Sequence, residues 1–205
     1  SPLDRDRSVY LWDVSRQICL LARYDPHVTA TTTQRRSTAR ERILDTAFRL
    51  FYAHGVRAVG VDRIIAEAGV AKATFYRHFP TKVSLVIAYL DTVDEIWTRQ
   101  LHAAAEAAGP APRDQLVGLC DALATACRRD GYRGCAFINA AAESEAGTPI
   151  HDRTVAHKDA VREWVRALAV EARAADPDSL SRTLTLLLDG GLASDHRGIG
   201  LFASD

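Results

Sequence analysis

Residues 61–82 read VDRIIAEAGVAKATFYRHFPTK, and the fold turns on this stretch. Val61, Ile64, Ile65 and Ala68 recur at helical spacing, which gives a first short helix one apolar face. Gly69 ends it, because glycine enters the left-handed C-cap conformation without a Cβ penalty. Val70 is expected to plug the turn as a buried anchor. A second short helix covers 72–78, with Phe75 and Phe79 facing inward and Lys72, Ala73, Thr74, Tyr76, Arg77 and His78 outward. Small, aromatic and cationic side chains together suit a helix lying in the major groove of DNA. Pro80 stops that helix, and Thr81 caps the next with Lys82 near a phosphate. The pattern is a helix-turn-helix, although a helical hairpin with a basic rim accounts for it about as well.

Upstream, residues 38–54 form a strong helix. Thr38 and Glu41 have capping-box spacing, and Ile43, Leu44, Ala47, Phe48, Leu50 and Phe51 make the broad apolar stripe of a core helix. His54-Gly55 closes it, and Arg40 and Arg42 near its start are candidates for phosphate contact.

Read together, RILDTAFRLF at 42–51, His54-Gly55 and AGVAKATFYRHFPTK at 68–82 resemble the DNA-binding domain of the TetR family of bacterial transcriptional regulators. The likeness holds one register over about fifty residues and continues only as helical layout. It implies an all-α protein. An extension and linker (1–37) precede an N-terminal three-helix helix-turn-helix DNA-binding domain (38–82) and a C-terminal helical ligand-binding and dimerisation domain (83–205). It further implies a ligand-responsive, sequence-specific regulator, by expectation a repressor released from a palindromic operator by a small-molecule inducer. The DNA contacts then fall to Arg40, Lys72, Ala73, Thr74, Tyr76, Arg77, His78 and Lys82. Two positions depart from the family pattern. Val59 and Gly60 stand where Thr or Ser usually precedes the first helix of the motif, and Ala71 stands where Ser or Thr usually opens the recognition helix. Each lost hydroxyl cap costs on the order of 1 kcal/mol.

The 205 residues fit one large or two small domains. No apolar run reaches the ~18 residues of a membrane span, and the N-terminus lacks the basic-then-apolar pattern of a signal peptide. With no Met anywhere, the chain is expected to start at a processing or cloning boundary. Formal net charge is zero, but residues 34–82 carry ten Lys or Arg against four Asp or Glu, and residues 83–205 twelve against eighteen. A basic segment joined to an acidic one puts the phosphate-seeking surface at the helix-turn-helix.

Before that segment, Leu11, Val14, Ile18 and Leu21 allow a short amphipathic helix at 9–23, and 25–37 is a polar linker. Arg35 and Arg36 could reach a neighbouring minor groove, or simply be solvated. Beyond Thr81 a long helix is expected to about residue 108, with Val83, Val86, Ile87, Leu90, Val93, Trp97 and Leu101 on one side. Further helices are expected at 114–129, with Cys120 and Cys127 inward, and at 134–146, 151–174 and 179–195. The last two, antiparallel, suit a two-fold dimer interface through Val161, Val165, Leu184 and Leu188.

Four cysteines form no CxxC pair. Cys120 and Cys127 are too far apart along a helix for a disulfide, which fits buried thiols in a reduced cytoplasm. His151 and His157 fall on different helix faces, so a shared metal is not expected. No HExxH, GxSxG or phosphate-binding glycine loop is present, so neither catalytic residues nor a cofactor are expected. The family resemblance implies an inducer cavity in the body, for which Trp97, Leu101, Cys120, Leu123, Phe137, Asn139, Trp164 and Leu187 are candidate lining. A thiol- or His-dependent enzyme on a helical scaffold and a ligand-independent DNA-binding protein are the competing classes.

Overall fold

The computed structural model describes residues 37–129 and 131–194, which form eight helices and no strand. The all-α expectation therefore holds. The amphipathic segment at 9–23, Cys19, the Arg35–Arg36 pair and the terminal stretch 196–205 lie outside the described residues. The described residues divide into two compact units, one ending at Tyr89 and one beginning at Leu90.

The first unit holds α1 (Ala39–His54), α2 (Val61–Ala68), α3 (Lys72–His78) and the opening turns of α4 (Lys82–Ala108). The Thr38 hydroxyl accepts from the Glu41 N–H at 3.2 Å while Glu41 Oε2 accepts from the Thr38 N–H at 2.7 Å. This is the reciprocal cap expected of that spacing. Gly69 takes φ 62°, ψ 43° at the end of α2, a left-handed conformation that turns the chain into α3. Val70, expected to be buried, is only half-buried. The turn is anchored instead by Ile64, Ala68, Phe75 and Phe79. Tyr89 closes this core by meeting Phe48 and Phe51 edge-on, with ring centroids 5.2 and 5.6 Å apart. Glu67 ties α1 to α2, accepting from Arg49 at 2.6 Å and Arg63 at 2.8 Å.

The second unit holds the rest of α4 with α5 (Pro112–Cys127), α6 (Ala136–Ala142), α7 (Pro149–Glu171) and α8 (Pro177–Ser194). Its core joins Leu101 and Ala105 of α4, Leu119 and Leu123 of α5, Val165 and Leu168 of α7, and Leu188 and Leu192 of α8. Two glycines allow helices to touch backbone to backbone or backbone to side chain. A Cβ on Gly118 would lie 2.6 Å from the Ala104 carbonyl oxygen, and one on Gly191 2.6 Å from Leu123 Cδ2. α6 is shorter than the expected 134–146, and its last turn tightens through i→i−3 bonds from the Glu143 N–H to the Ala140 carbonyl at 3.3 Å and from the Ser144 N–H to the Ala141 carbonyl at 3.1 Å. Among the described residues no helix is long and apolar enough to cross a membrane.

Four expected placements are corrected here. Val165 is 0 % and Leu188 6 % exposed, so both are buried against their own chain rather than offered to a twin. Cys120 and Leu187, expected inward, are exposed. In each case the apolar periodicity allowed more than one face, and the flanking helices chose another.

Candidate nucleic-acid interface and body cavity

In the first unit, the split within α3 follows from its two phenylalanines. Phe75 is 0 % and Phe79 2 % exposed, which drives the rest of the helix outward. Lys72, Ala73, Tyr76 and Arg77 are exposed, and Thr74 and His78 partly so. The Tyr76 ring stands edge-on to Phe75, at 5.3 Å between centroids, so its position is held although it faces water. Lys72 Nζ lies 3.5 Å from Asp62 of α2, both side chains well exposed. Such a pair is worth little and is readily exchanged for a phosphate. The Arg40 guanidinium sits over the Phe79 ring, 5.3 Å from its centroid, which places a cation of α1 beside the end of α3. Lys82 is half-buried, with Nζ 3.5 Å from the Arg57 carbonyl. Thr81 caps α4 as expected, its hydroxyl accepting from the Ser84 N–H at 3.0 Å. Gly60 and Ala71 occupy the N-caps of α2 and α3 without a side-chain hydrogen bond, so the two departures from the family pattern are visible as two uncapped helix starts.

In the second unit, a cavity of about 150 Å³ opens among α4, α7 and α8. Of the residues proposed as lining, Trp97 faces it. Leu101 and Leu123 belong to the sealed core. Phe137 is buried with its ring flat against His157. Asn139 donates to the Arg133 carbonyl at 2.9 Å, fixing the loop before α6, and Trp164 stacks on His102. The polar wall went unread in the sequence: His157, Lys158, Asp159, Arg162, Thr185 and Asp189. A signal existed, since Arg153 and His157 have i, i+4 spacing on α7 while Asp94 falls between the apolar Val93 and Trp97 of α4.

Asp94 accepts from Arg153 Nη2 and from His157 Nδ1, each at 2.6 Å, and Arg153 Nε donates to Asp91 at 2.7 Å. Burial pushes the Asp94 carboxyl up, but the bonds from Arg153 and His157 outweigh it and hold it below the usual carboxylate range. Burial dominates at His157 and lowers its imidazole below the ordinary histidine value, against the pull of Asp94. The two directions fit one state: a neutral ring donating from Nδ1 to an ionised carboxylate, which leaves Nε2 as an acceptor. Among the described residues no group of three or more His, Cys, Asp or Glu could hold a metal ion.

The profile described as "Bacterial regulatory proteins, tetR family" matches residues 43–89. A crystallised TetR-family transcriptional regulator from Streptomyces coelicolor is 39 % identical, with a TM-score of 0.73 over 78 % of this chain and 84 % of that one. The chain belongs to the TetR family of bacterial transcriptional regulators. As a member of that family it is a helix-turn-helix protein that binds DNA, and not an enzyme. The HTH-type transcriptional regulator YjdC of Escherichia coli K12 is 23 % identical over 158 residues, 75 % of this chain and 81 % of that protein. A transcriptional regulator from Saccharomonospora viridis, crystallised in complex with choline, is 25 % identical with a TM-score of 0.63 over 74 % of this chain and 82 % of that one. For this TetR-family protein the exposed face of α3 is the candidate recognition surface, and the α4–α7–α8 cavity the candidate effector site.

Proposed function

We propose that the protein is a homodimeric repressor with a DNA-binding head at 38–82 and a ligand-binding, dimer-forming body at 83–205. It acts in the cytoplasm on a palindromic operator and is released by a small molecule. The observation that carries the reading is the division of α3 into a buried Phe75–Phe79 anchor and an outward Lys72, Ala73, Tyr76, Arg77 face. Thr74 and His78 flank that face, and Arg40 and Lys82 add phosphate contacts at its edges. Two copies would set two such faces in successive major grooves. The cavity beside Trp97, and the choline complex of the Saccharomonospora viridis relative, support a small-molecule effector. An effector releases DNA only if it binds the DNA-free state more tightly than the DNA-bound one. Footprinting on the DNA flanking the protein's own gene tests the reading. A protected palindrome supports it, and uniform, sequence-independent coverage would favour a ligand-independent DNA-binding protein.

A further inference from the structure

The body cavity has a balanced charge. Lys158 and Asp189 form an ion pair in its wall, and Arg162 pairs with Asp159 at 3.0 Å. Lys158 is held from its other side by Cys135 Sγ at 3.8 Å. The Lys158 and Asp189 side chains are 27 % and 34 % exposed, against 49 % and 58 % for Arg162 and Asp159. The first pair is therefore the more desolvated, and the second forms the rim. Two cations facing two anions leave no net field to favour an ion of either sign. Trp97 and Leu188 supply an apolar wall beside the pairs.

This arrangement sorts ligand classes. An apolar cavity of about 150 Å³ stays dry and admits benzene, but a hydrocarbon here would strip water from both ion pairs and return no hydrogen bond. A lone carboxylate must take Lys158 from Asp189 or sit against that carboxylate. A lone ammonium meets the mirror problem at Lys158. Each leaves one partly buried charge unmatched, the costly way to break such a pair. A molecule bearing both charges inserts into the pair, carboxylate toward Lys158 Nζ and ammonium toward Asp189 Oδ1, and leaves none unmatched. The volume sets its size. At about 150 Å³ the cavity lies below the usual range of drug-sized pockets, which suits an occupant of few heavy atoms.

We propose that the effector is a small zwitterion the size of a free amino acid, held between Lys158 and Asp189 with its apolar body on Trp97 and Leu188. The proposal rests on the ligand-responsive reading above and names the chemical class of that ligand. Thr185 and His157 complete the lining.

The test is calorimetric titration of the full chain with the standard free amino acids. Each binder is then compared with the amine and the acid that keep its side chain and lack one charge. At least one amino acid binds and releases operator DNA, and removing either charge weakens it about tenfold or more. Lys158→Met and Asp189→Asn each weaken it comparably, with circular dichroism reporting that the fold is kept. If either variant fails to fold, the comparison of matched ligands on the unaltered chain decides alone. An amine, an acid or choline binding as tightly as the best amino acid overturns the proposal. So does the failure of every amino acid to bind at millimolar concentration while another compound releases the operator, an outcome that leaves the ligand-responsive reading standing. Operator binding that no compound alters overturns both.

Discussion

The imidazole of His157 lies flat on the ring of Phe137, with centroids 3.8 Å apart and planes 5° apart, while its Nδ1 donates to Asp94 at 2.6 Å. With 2 % of the residue exposed, the ring has exchanged water for one carboxylate and one aromatic face. Arg153, Lys158 and the ionised Asp94 are the charges around it. Burial lowers its folded pKa below the ordinary 6.5, so the unfolded chain takes up the proton first as pH falls. Stability is therefore lost on acidification from about pH 7.5 toward pH 5.5. Asp94, whose folded pKa is lowered from 3.8, keeps its contribution throughout that window and loses it only in stronger acid. Urea midpoints measured across the window should slope downward with acid, and His157→Gln should flatten the slope. Equal slopes in the two proteins would remove His157 as the cause.

Tyr76 is 43 % exposed on the outward face of α3. Tyr76→Ala should weaken binding to the protected operator by roughly 1–3 kcal/mol, the size of a lost specific contact. Tm should scarcely move, since the Tyr76 side chain lies outside the buried core that Phe75 fills. Fluorescence anisotropy with operator and scrambled duplexes reads both affinities, and operator affinity unchanged in the folded variant would take Tyr76 out of the interface.

Lys82 begins α4 with Nζ toward the Arg57 carbonyl, a placement that suits a phosphate contact more than a base contact. Lys82→Ala should weaken binding to all duplexes alike and lower the slope of log K against log salt by about one. A sequence-selective loss at unchanged slope would assign Lys82 a different role.

On α8, Leu186 and Leu187 are 71 % and 64 % exposed, whereas Leu188 is 6 % exposed. Leu184 is partly buried and rests against the core that Leu188 completes. The charged substitution that separates a dimer is therefore Leu187→Asp rather than Leu184→Asp. It should yield folded monomers that hold a half-site weakly, each leucine covered by a twin being worth roughly 1.5–3 kcal/mol. Leu188→Asp should lose helicity outright, because it places a charge in the core. Sedimentation with circular dichroism distinguishes the two, and a Leu187→Asp protein that stays dimeric would move the interface elsewhere.

Gly118 of α5 lies so close to α4 that an added Cβ would meet the Ala104 carbonyl oxygen at 2.6 Å and Ala108 Cβ at 2.8 Å. Neither atom is the end of a flexible chain, so Gly118→Ala should force the helices apart and destabilise by about 1–3 kcal/mol. That loss exceeds the ~1 kcal/mol that alanine gains over glycine in a helix. Gly190→Ala, whose Cβ would meet nothing within 4 Å, should raise stability within one chain. Thermal unfolding of the two variants should shift Tm in opposite directions.

The head was legible because its signals are local. The cap between Thr38 and Glu41, the left-handed Gly69 and the inward Phe75–Phe79 pair each depend on residues within four positions of one another. Short-range sterics and hydrogen bonding decide such features wherever the segment is placed, and they fix which side of α3 meets solvent. The body was legible only as a succession of helices. In TLTLLLDGG at 183–191, four leucines in five positions leave no unique apolar face, so the sequence could not separate Leu187 from Leu188. That choice fell to α5 and α7, which bury whichever side of α8 they flank. The cavity is further still from any local pattern. Asp94 meets His157 across 63 positions and Lys158 meets Asp189 across 31, and no helical period encodes a meeting between residues on different helices. Spacing along the chain gave an all-α protein with a basic head, and the resemblance carried by 42–51 and 68–82 chose the helix-turn-helix over a plain helical hairpin; only the helix-on-helix contacts of the body, where burial makes each unpaired charge costly, decided which side chains line the cavity.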